Sequence, residues 1–428
     1  MAVYMNKYSM NDSIADITEA PLYGNSEISC FVLRYLRDII LVRHPPNDVV
    51  GIIVAFCGSI VSFTIFNSQH GSFETLQECC GIYVNKSTVS LMDLDNRLHV
   101  FGANNYYQLG FDSRKKRNSM HELEWIIWKK RSFLHEFFKD KCVLLCSTGM
   151  NNDWNFIQTS DGLYAMGWNA FNQCGIKTTQ RFIPKPRKIE CLSMKLKLIK
   201  CGRMHSLFLT INGNIFGCGD NRELQLTHKY YQTNKDNIIQ CIIDTNNIAS
   251  IDCSADSSYV FDANHKLMVF GSNKYGQLGI NNPSIKHSSI IDFNSTEIDV
   301  NRLSCGRCHI GCLTHDNKLY MFGSNSHYQC GLKNKYKCCV GYEISLNNER
   351  IVSVKCGPRN TIIKTDKNHY YSFGNNANNV LLLDTQKKRV SKPTLITSEY
   401  IHKITQSNND VMDILPSNNG TYIIQKSS

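Results

Sequence analysis

The sequence predicts an all-β fold built from tandem units that depend on one another, and three observations support this prediction. A short phrase of apolar residues, a glycine, one further residue and an asparagine recurs six times along the 428-residue chain. Successive copies lie 65, 52, 52, 52 and 51 residues apart, a regularity that indicates a repeat architecture. The apolar runs are short, as in strands, and lack the roughly 3.6-residue period of helices. The glycines that mark the copies are Gly102, Gly167, Gly219, Gly271, Gly323 and Gly374.

Each repeat contains a second element upstream of its glycine. This element is clearest at residues 201–210 and 305–314, and hairpin-type dipeptides such as Asn212-Gly213 separate it from the glycine phrase. Each unit is therefore predicted to be a strand, a tight turn, a strand, a glycine turn and a longer connection. Four short strands in 52 residues match one blade of a β-propeller, in which neighbouring blades bury each other's faces.

Two phrases carry a resemblance to a known family: Cys-Gly-x-x-His with a following Leu-Thr-x-Asn-Gly, and Phe-Gly-Ser-Asn-x-Tyr-Gly-Gln-Leu-Gly. They resemble the repeat of the regulator of chromosome condensation family, whose members form seven-bladed β-propellers. The similarity covers residues 49–428. The chain departs from the pattern at Val380, which replaces the glutamine, and at Ser257 and Asn360, which replace the histidine. The resemblance implies an all-β, seven-bladed β-propeller of this type.

The two ends of the chain are predicted to share the last blade. Residues 418–424 look like a hairpin that lacks its outgoing strand, and residues 52–59 imitate the strand that leads to Gly219. We therefore expect an N-terminal strand to close the ring of a propeller domain at 49–428, preceded by an N-terminal extension at 1–48. Residues 49–66 carry no charge, but their glycines, serines and β-branched residues favour a strand over a membrane span.

The first gap between repeats is the longest, and its excess predicts one helical insertion at about 113–141. A capping-box pattern at Ser119 and Glu122 precedes apolar residues at helical spacing. Two interpretations stay open: the apolar stripe lies across a propeller face, or its Trp and basic residues contact a partner, since Trp and Arg are frequent interface anchors. The candidate partner-binding residues are Arg114, Lys115, Lys116, Arg117, Trp125, Trp128, Lys129, Lys130 and Arg131.

The composition favours acidic partners and a reducing compartment. The formal net charge is +11, which suits nucleic acid, histone surfaces or anionic lipid, and a further basic cluster lies at 387–389. Several of the 19 cysteines recur at one repeat position, as expected for small buried strand residues. We expect an intracellular protein, nuclear or cytoplasmic, without a secretory signal.

One segment matches a cofactor motif. Cys305, Cys308 and His309 spell C-x-x-C-H, the haem-attachment pattern. Cys312 adds a possible metal ligand. In repeat register, however, Cys305 and His309 correspond to Cys201 and His205, so the repeat explains all but Cys308 and Cys312. We therefore predict no metal and no cofactor, and we interpret His205 and His309 as structural ties between strands rather than as acid-base groups.

The predicted function is that of a non-catalytic interaction platform whose face loops hold a protein partner, acting as a monomer. The family resemblance implies a small GTPase as partner, with guanine-nucleotide exchange as the activity, or chromatin as the binding target. In exchange, the propeller would favour a nucleotide-free conformation of the GTPase and would perform no covalent chemistry. The alternative is an adaptor or targeting subunit in vesicle traffic, cilia or ubiquitin transfer, without exchange activity.

Overall fold

The computed structural model describes the chain mainly as β-strands. The described residues are 62–67, 71–77, 79–84, 88–93, 98–102, 104–110, 137–138, 141, 143–147, 153–190, 195–226, 239–243, 247–262, 267–280, 289–291, 300–314, 316–333, 337–346, 349–405, 411–417 and 420–426. The chain divides into two compact units. One unit, 1–46 with 55–59, lies outside the described residues, and the other, 47–54 with 60–428, contains every element given below.

The described strands are joined by connections that range from the single residue 78 to the segment 103–142. In chain order they are β1 (Ser62–Asn67), β2 (Gly71–Gln77), β3 (Cys79–Val84), β4 (Thr88–Asp93), β5 (Leu98–Gly102), β6 (Val143–Cys146), β7 (Trp154–Thr159), β8 (Gly162–Trp168), β9 (Phe182–Lys188), β10 (Leu196–Cys201), β11 (His205–Thr210), β12 (Ile215–Gly219), β13 (Gln240–Ile243), β14 (Ile248–Cys253), β15 (Ser257–Asp262), β16 (Leu267–Gly271), β17 (Ser289–Ile291), β18 (Val300–Cys305), β19 (His309–Thr314), β20 (Leu319–Ser324), β21 (Lys337–Ile344), β22 (Ile351–Cys356), β23 (Asn360–Thr365), β24 (Tyr370–Asn375), β25 (Arg389–Ile396), β26 (Val411–Ser417) and β27 (Gly420–Lys426).

These strands form seven antiparallel sheets in the described part of the chain. The first sheet has three strands, β3–β4–β5. The second to sixth sheets each have four consecutive strands, namely β6–β9, β10–β13, β14–β17, β18–β21 and β22–β25. The remaining sheet, called the closing sheet below, has the order β2–β1–β27–β26. The predicted all-β class is thus confirmed, and each repeat phrase coincides with the third strand of one sheet.

The closing sheet joins strands from distant parts of the sequence. Strand β1 runs antiparallel to β27, with Phe63 opposite Lys426 and Asn67 opposite Tyr422. The sequence pattern predicts residues 52–59 at this position, and they lie outside the described residues. The strand that pairs with the C-terminal hairpin is Ser62–Asn67, further along the chain than expected.

The first sheet differs from the others where the insertion was predicted. Its three strands are followed by residues 111–136, which lie outside the described residues, at the place where other sheets have their fourth strand. Of the predicted helix at about 113–141, only a short stretch near its end is described, and Phe137 and Phe138 are helical there.

Burial along each sheet follows strand position. The second strands β7, β11 and β19 are buried at all six residues, because they are covered on both faces. The fourth strands are more exposed, and two of them contain proline: Pro184 and Pro186 in β9, and Pro393 in β25. Proline has no backbone N–H to donate, so it is tolerated on a strand at the edge of a sheet.

The hydrophobic core lies between sheets rather than within any one of them. One cluster combines Trp154 and Phe156 of the second sheet with Ile199 and Phe208 of the third. Phe156 and Phe208 meet edge to face, with ring centroids 5.0 Å apart. Further clusters join the third sheet to the fourth, the fourth to the fifth, the fifth to the sixth, and the sixth to the closing sheet. Each sheet therefore depends on its neighbours for burial.

The first strands of neighbouring sheets also satisfy each other's backbone groups. The backbone N–H of Cys305 donates to the Asp252 carboxylate at 3.2 Å, and the N–H of Cys356 donates to Ser304 Oγ at 2.9 Å. Asp252 also forms an ion pair with the buried Lys200, 3.6 Å away. These side chains pair N–H groups that the edge of an isolated sheet would leave without a partner.

One helix was not predicted. Helix α1 (Ser398–Thr405) connects β25 to β26, and its Ile401 packs into the cluster between the sixth sheet and the closing sheet. Thr397 caps it, because its Oγ1 accepts the backbone N–H of Tyr400 at 3.3 Å. Among the described residues, no helix has both the length and the apolar character required to cross a membrane.

Candidate functional site: the motif-loop face

The loop after the first strand of a sheet and the glycine turn after its third strand are bonded together, and we call the surface that they form the motif-loop face. Asp220 donates its backbone N–H to the Met204 carbonyl at 2.8 Å, and Ser324 donates to Cys308 at 2.7 Å. Neighbouring sheets are linked in the same way, since Arg203 N–H donates to Ala255 O at 2.7 Å and Ala255 N–H to Arg307 O at 3.0 Å. The loops of the third, fourth and fifth sheets thus form one connected surface.

The turn glycines occupy a backbone conformation that other residues rarely adopt. Gly271 and Gly323 have φ angles of 102° and 100°. A Cβ atom on either would lie 2.4 Å from a carbonyl oxygen of the adjoining loop, that of Asp256 or Cys308. Gly167, Gly219 and Gly374 also have positive φ angles in their turns. Gly102 is the last residue of strand β5. The glycines therefore allow the two loops of each sheet to approach closely.

An asparagine side chain fixes the shape of each of the six turns, and a glutamine side chain adds a second bond in all but the sixth. Asn273 Oδ1 accepts the N–H of Leu278 at 3.0 Å, and Gln277 Oε1 accepts the N–H of Tyr275 at 2.9 Å. The equivalent asparagines Asn104, Asn169, Asn221, Asn325 and Asn376 each make the first of these bonds in their own turn. The residue two before the glutamine differs between repeats: Tyr106, Phe171, Glu223, Tyr275 and His327. A constant scaffold thus presents variable side chains, which is the usual arrangement of a binding surface.

The predicted residue His205 lies at a contact between two sheets. Its Nε2 is 2.9 Å from Ser258 Oγ in the next sheet, and Ser258 Oγ donates to the Gln225 carbonyl at 2.7 Å. Because that hydroxyl proton is used, His205 donates its own Nε2–H and is the neutral Nε2-protonated tautomer. His309 repeats the arrangement with Thr361, at 3.1 Å. In the second sheet Trp154 takes the histidine position and donates to Ser206 Oγ at 3.0 Å.

The environment of both histidines opposes protonation. Burial lowers the pKa of His205 to about 4 and that of His309 to about 3. The Nδ1 atom of each ring is buried without a hydrogen-bond partner, so a second proton would have no acceptor. Each ring also fills the space beside a glycine, Gly202 or Gly306, where a Cβ would lie within 2.6 Å of Nδ1. These imidazoles join strands and are closed to substrate.

One sheet contact uses a different residue for the same bond. In the fifth sheet, Ile310 occupies the position of Ser258 and has no hydroxyl to offer the fourth sheet. The Gln277 carbonyl instead accepts a hydrogen bond from Tyr259 Oη within its own sheet, at 2.9 Å. The carbonyl is therefore satisfied although the repeat pattern is broken.

The residues of the C-x-x-C-H motif lie in different environments. Cys305 is buried, and burial raises the pKa of its thiol well above the ordinary value. Cys308 is half-buried, and burial raises its pKa although Arg307 opposes the shift. His309 is engaged by Thr361, as described above. The residues that the structure describes contain no group of three or more His, Cys, Asp or Glu arranged to hold a metal ion.

The nine predicted partner-binding residues between Arg114 and Arg131 all lie outside the described residues. The described end of the insertion packs on the second sheet. The ring of Phe138 is 5.4 Å from that of Tyr164 and that of Phe137 is 5.6 Å from it, both edge to face. Phe138 is buried, whereas Phe137 remains exposed. The two interpretations of the insertion stay predictions, because residues 111–136 lie outside the described residues.

Sequence reasoning missed an aromatic strip that crosses the motif-loop face. Tyr106 of the first sheet lies 6.2 Å from both Trp168 and Phe182 of the second, measured between ring centroids. Trp168 in turn contacts Phe171 at 6.0 Å, and the guanidinium of Arg222 lies 5.0 Å from the Phe171 ring. The signal was available: Trp168 stands where the other repeats have Ala, Asp, Ser or Asn.

Most charges near the aromatic strip and the neighbouring loops are paired. Arg222 binds Asp220 at 2.8 Å, and Arg203 binds Asp256 through two nitrogens, at 3.0 and 2.9 Å. Burial raises the pKa of Asp256 even though Arg203 opposes the shift. The Arg203–Asp256 bonds hold the loops of the third and fourth sheets together across the motif-loop face.

The fold and this face define a class: a β-propeller of tandem repeats whose variable loops surround one end. The sequence model of the RCC1-like domain matches residues 68–412, and the chain belongs to that family. The matched region covers most of the sheets described above, and the predicted family and propeller fold are confirmed.

Similar proteins are longer than the matched region. The mouse serine/threonine-protein kinase Nek9 is 25% identical over 255 residues, which cover 54% of this chain and 25% of the kinase. The human X-linked retinitis pigmentosa GTPase regulator is 29% identical over 186 residues, which cover 43% of this chain and 13% of that protein. The chain thus spans about a quarter or less of these relatives.

A solved structure shows the same fold. Prp20p from Saccharomyces cerevisiae, described together with its binding to Gsp1p and histones, superposes with a TM-score of 0.66. The superposition covers 95% of this chain and 96% of Prp20p at 14% sequence identity, which establishes likeness of fold.

Proposed function

We propose that this protein is a non-catalytic interaction platform that binds a protein partner on its motif-loop face. The observation that carries the proposal is that constant residues hold the backbone of the turns while other residues in the same turns vary. Asparagine and glutamine side chains hold the backbone, and the residue two before the glutamine varies between repeats and is exposed or half-buried. The aromatic strip adds Tyr, Trp and Phe rings beside an arginine, the residue types that dominate binding energy at protein interfaces.

The partner that we favour is a small GTPase, with guanine-nucleotide exchange as the activity. The name of the human relative includes GTPase regulation, and the family resemblance of the repeats points the same way. The platform would act by binding the nucleotide-free GTPase more tightly than the nucleotide-bound form. It would do so as a monomer in the nucleus or cytoplasm.

A nucleotide-release assay against a panel of small GTPases tests this proposal. Release of a fluorescent guanine nucleotide should accelerate with the wild-type chain. It should accelerate less with a Tyr106→Ala, Phe171→Ala double variant of the aromatic strip. The matched control is Tyr342→Ala with Leu395→Ala, two exposed apolar residues on the fourth strands β21 and β25. Stimulation of no GTPase would refute the exchange activity, and equal loss in both double variants would refute the assignment to this face.

Chromatin binding is a second candidate, favoured by the net charge of +11 and by the histone binding in the description of Prp20p. Binding of core histones or nucleosomes should weaken as salt rises and when Arg114, Lys115, Lys116 and Arg117 are changed to glutamine. A flat salt response would exclude it.

An adaptor role without exchange activity is the third candidate. The chain corresponds to only a part of Nek9, whose name indicates a kinase, so similar repeats occur beside other domains. Affinity capture from native cells followed by mass spectrometry should then recover a stable partner other than a GTPase. Recovery of a GTPase that also responds in the release assay would contradict this role.

A further inference from the structure

The motif-loop face carries a group of cations that form no ion pair with any carboxylate among the described residues. They lie on the fifth and sixth sheets, are all exposed, and form no ion pair within the described part of the chain. We call them the basic patch, and its members are Arg307, Arg359, Lys387, Lys388 and Arg389.

Loop contacts gather these residues. The turn of the sixth sheet anchors the 387–389 segment, because Asn376 donates its side-chain N–H to Lys387 O at 3.0 Å and its backbone N–H to Lys388 O at 2.8 Å. Arg389 reaches the fifth sheet, where its Nη1 donates to Ser326 O at 3.3 Å. The basic patch therefore spans the junction of two sheets on a fixed backbone.

Arg307 and Arg359 belong to the same surface. They lie in the first loops of the fifth and sixth sheets, and these loops are close enough that a Cβ on Gly306 would be 2.4 Å from Gly357 O. His327 lies in the turn between them and Arg389. The pKa of His327 is lowered by burial first and then by the charges of Arg359 and Arg389, which indicates a positive potential at this point.

Several cations elsewhere on the protein form ion pairs, including two on the same face. Arg203 and Arg222 bind Asp256 and Asp220 on the same face, and Lys318 binds Asp316 at 2.9 Å on a hairpin. Asp384 is exposed three residues before Lys387 in the connection before β25, and Asp256 is already bound by Arg203. The basic patch thus retains an excess of positive charge that an external acidic group can neutralise.

We propose that the basic patch docks a carboxylate-rich acidic segment of a partner protein. This inference rests on the proposed function, since it names the partner chemistry on the same face. Arginine presents a planar fork that binds a carboxylate through two parallel N–H bonds, and three of the five cations are arginines. A nucleic acid fits less well, because proteins that bind it typically contact roughly 6–10 phosphates along an extended stripe. The interacting rings of the aromatic strip lie on the first and second sheets, and the ring next to His327 at the basic patch is that of Tyr328.

The test is a binding titration of the full-length chain with a short fluorescein-labelled peptide rich in Asp and Glu, followed by fluorescence anisotropy. The variant is Arg307→Gln, Arg359→Gln, Arg389→Gln. The matched control is Lys185→Gln, Arg187→Gln, Lys392→Gln, which removes the same charge from exposed positions on β9 and β25. Because three exposed ion pairs with the peptide are lost together, the patch variant should bind the peptide about tenfold more weakly. The control should bind within about twofold of wild type.

Titrations with other ligands distinguish the chemistry that the basic patch prefers. The same peptide with Asn and Gln in place of Asp and Glu should not bind, and a peptide with phosphoserine in place of the acidic residues distinguishes phosphate from carboxylate as the preferred anion. Equal weakening in the patch variant and the control, or tighter binding of a single-stranded oligonucleotide or the phosphoserine peptide than of the acidic peptide, would overturn the proposal. The nucleotide-release assay, run on the same variants, is read separately, so a loss of peptide binding and an absence of exchange activity are distinguishable.

Discussion

Acidification from pH 7 to about pH 5 is expected to destabilise the propeller through two buried histidines. His205 and His309 are neutral in the folded protein, since burial lowers the pKa of the first to about 4 and of the second to about 3. In the unfolded chain both titrate near the ordinary value of about 6.5. At pH values between the folded-state and unfolded-state pKa values, the unfolded state binds more protons than the folded state. The free energy of unfolding therefore falls as the pH falls.

The magnitude follows from the two pKa values of each residue. At pH 5 an unfolded histidine is mostly protonated and a folded one is mostly neutral, which costs about 2 kcal/mol per residue and about 4 kcal/mol for the pair. His327 shifts in the same direction and is unchanged in the comparison below. The lowered pKa values of the carboxyl groups Asp316 and Glu349 matter only below about pH 4, where carboxylates take up protons.

The assay is chemical unfolding followed by tryptophan fluorescence at several pH values, since Trp154 is fully buried between the second and third sheets. The comparison protein is His205→Asn with His309→Asn, because the sixth sheet naturally carries Asn360 at this position beside Gly357. The wild type should lose about 4 kcal/mol from pH 7 to pH 5, and the double variant should lose much less from a lower starting value. An identical pH dependence in both proteins would refute the assignment of acid sensitivity to these histidines.

Three further changes test the packing. Gly323→Val should cost about 3 kcal/mol or more of unfolding free energy in chemical denaturation, because its φ is 100° and its Cβ would meet Cys308 O, whereas Thr394→Val on exposed β25 should cost little. Gly306→Ser should be destabilising alone and less destabilising when combined with His309→Ser, because the two changes reproduce the natural pair Ser254 and Ser257 of the fourth sheet. A double-mutant cycle should give a coupling free energy of at least about 1 kcal/mol. Additive effects would contradict the contact between the histidine ring and the glycine. Tyr259→Phe should cost about 1 to 2 kcal/mol by leaving the Gln277 carbonyl without its donor, and Tyr320→Phe, whose hydroxyl is exposed, should be nearly neutral in the same unfolding assay.

The repeat pattern was sufficient to predict the strands because turn glycines and asparagines act locally. The glycine at 271 or 323 marks a turn whose hydrogen bonds stay within a few residues, so its sequence signature is direct. Helix α1 was missed although Thr397 and Glu399 are reasonable signals for a helix start, because eight residues carry too little periodicity to stand out from a connection. The closing strand was placed too early, since residues 52–59 match the repeat better than Ser62–Asn67 and only pairing with β27 distinguishes them.

The candidate site was less predictable because it depends on residues that are distant in sequence. Whether an arginine is paired cannot be read from its own repeat: Arg203 finds Asp256 in the next sheet, while Arg307 at the equivalent position has no such partner among the described residues. The aromatic strip likewise combines rings from two sheets, Tyr106 with Trp168 and Phe182. The predicted partner-binding residues between Arg114 and Arg131 stay a prediction.

The central claim is that the sheets depend on one another, including the sheet shared by the two ends of the chain. Its most direct test is amide hydrogen exchange of the C-terminal hairpin, β26 and β27, after removal of the N-terminal strands that pair with it. A truncation through Gln77 deletes β1 and β2, leaving β27 at an open edge, whereas a truncation through residue 60 keeps both strands. Mass spectrometry of peptides covering β26 and β27 should show lost protection in the first truncation and near-normal protection in the second. Equal protection of these peptides in both proteins would contradict the shared sheet.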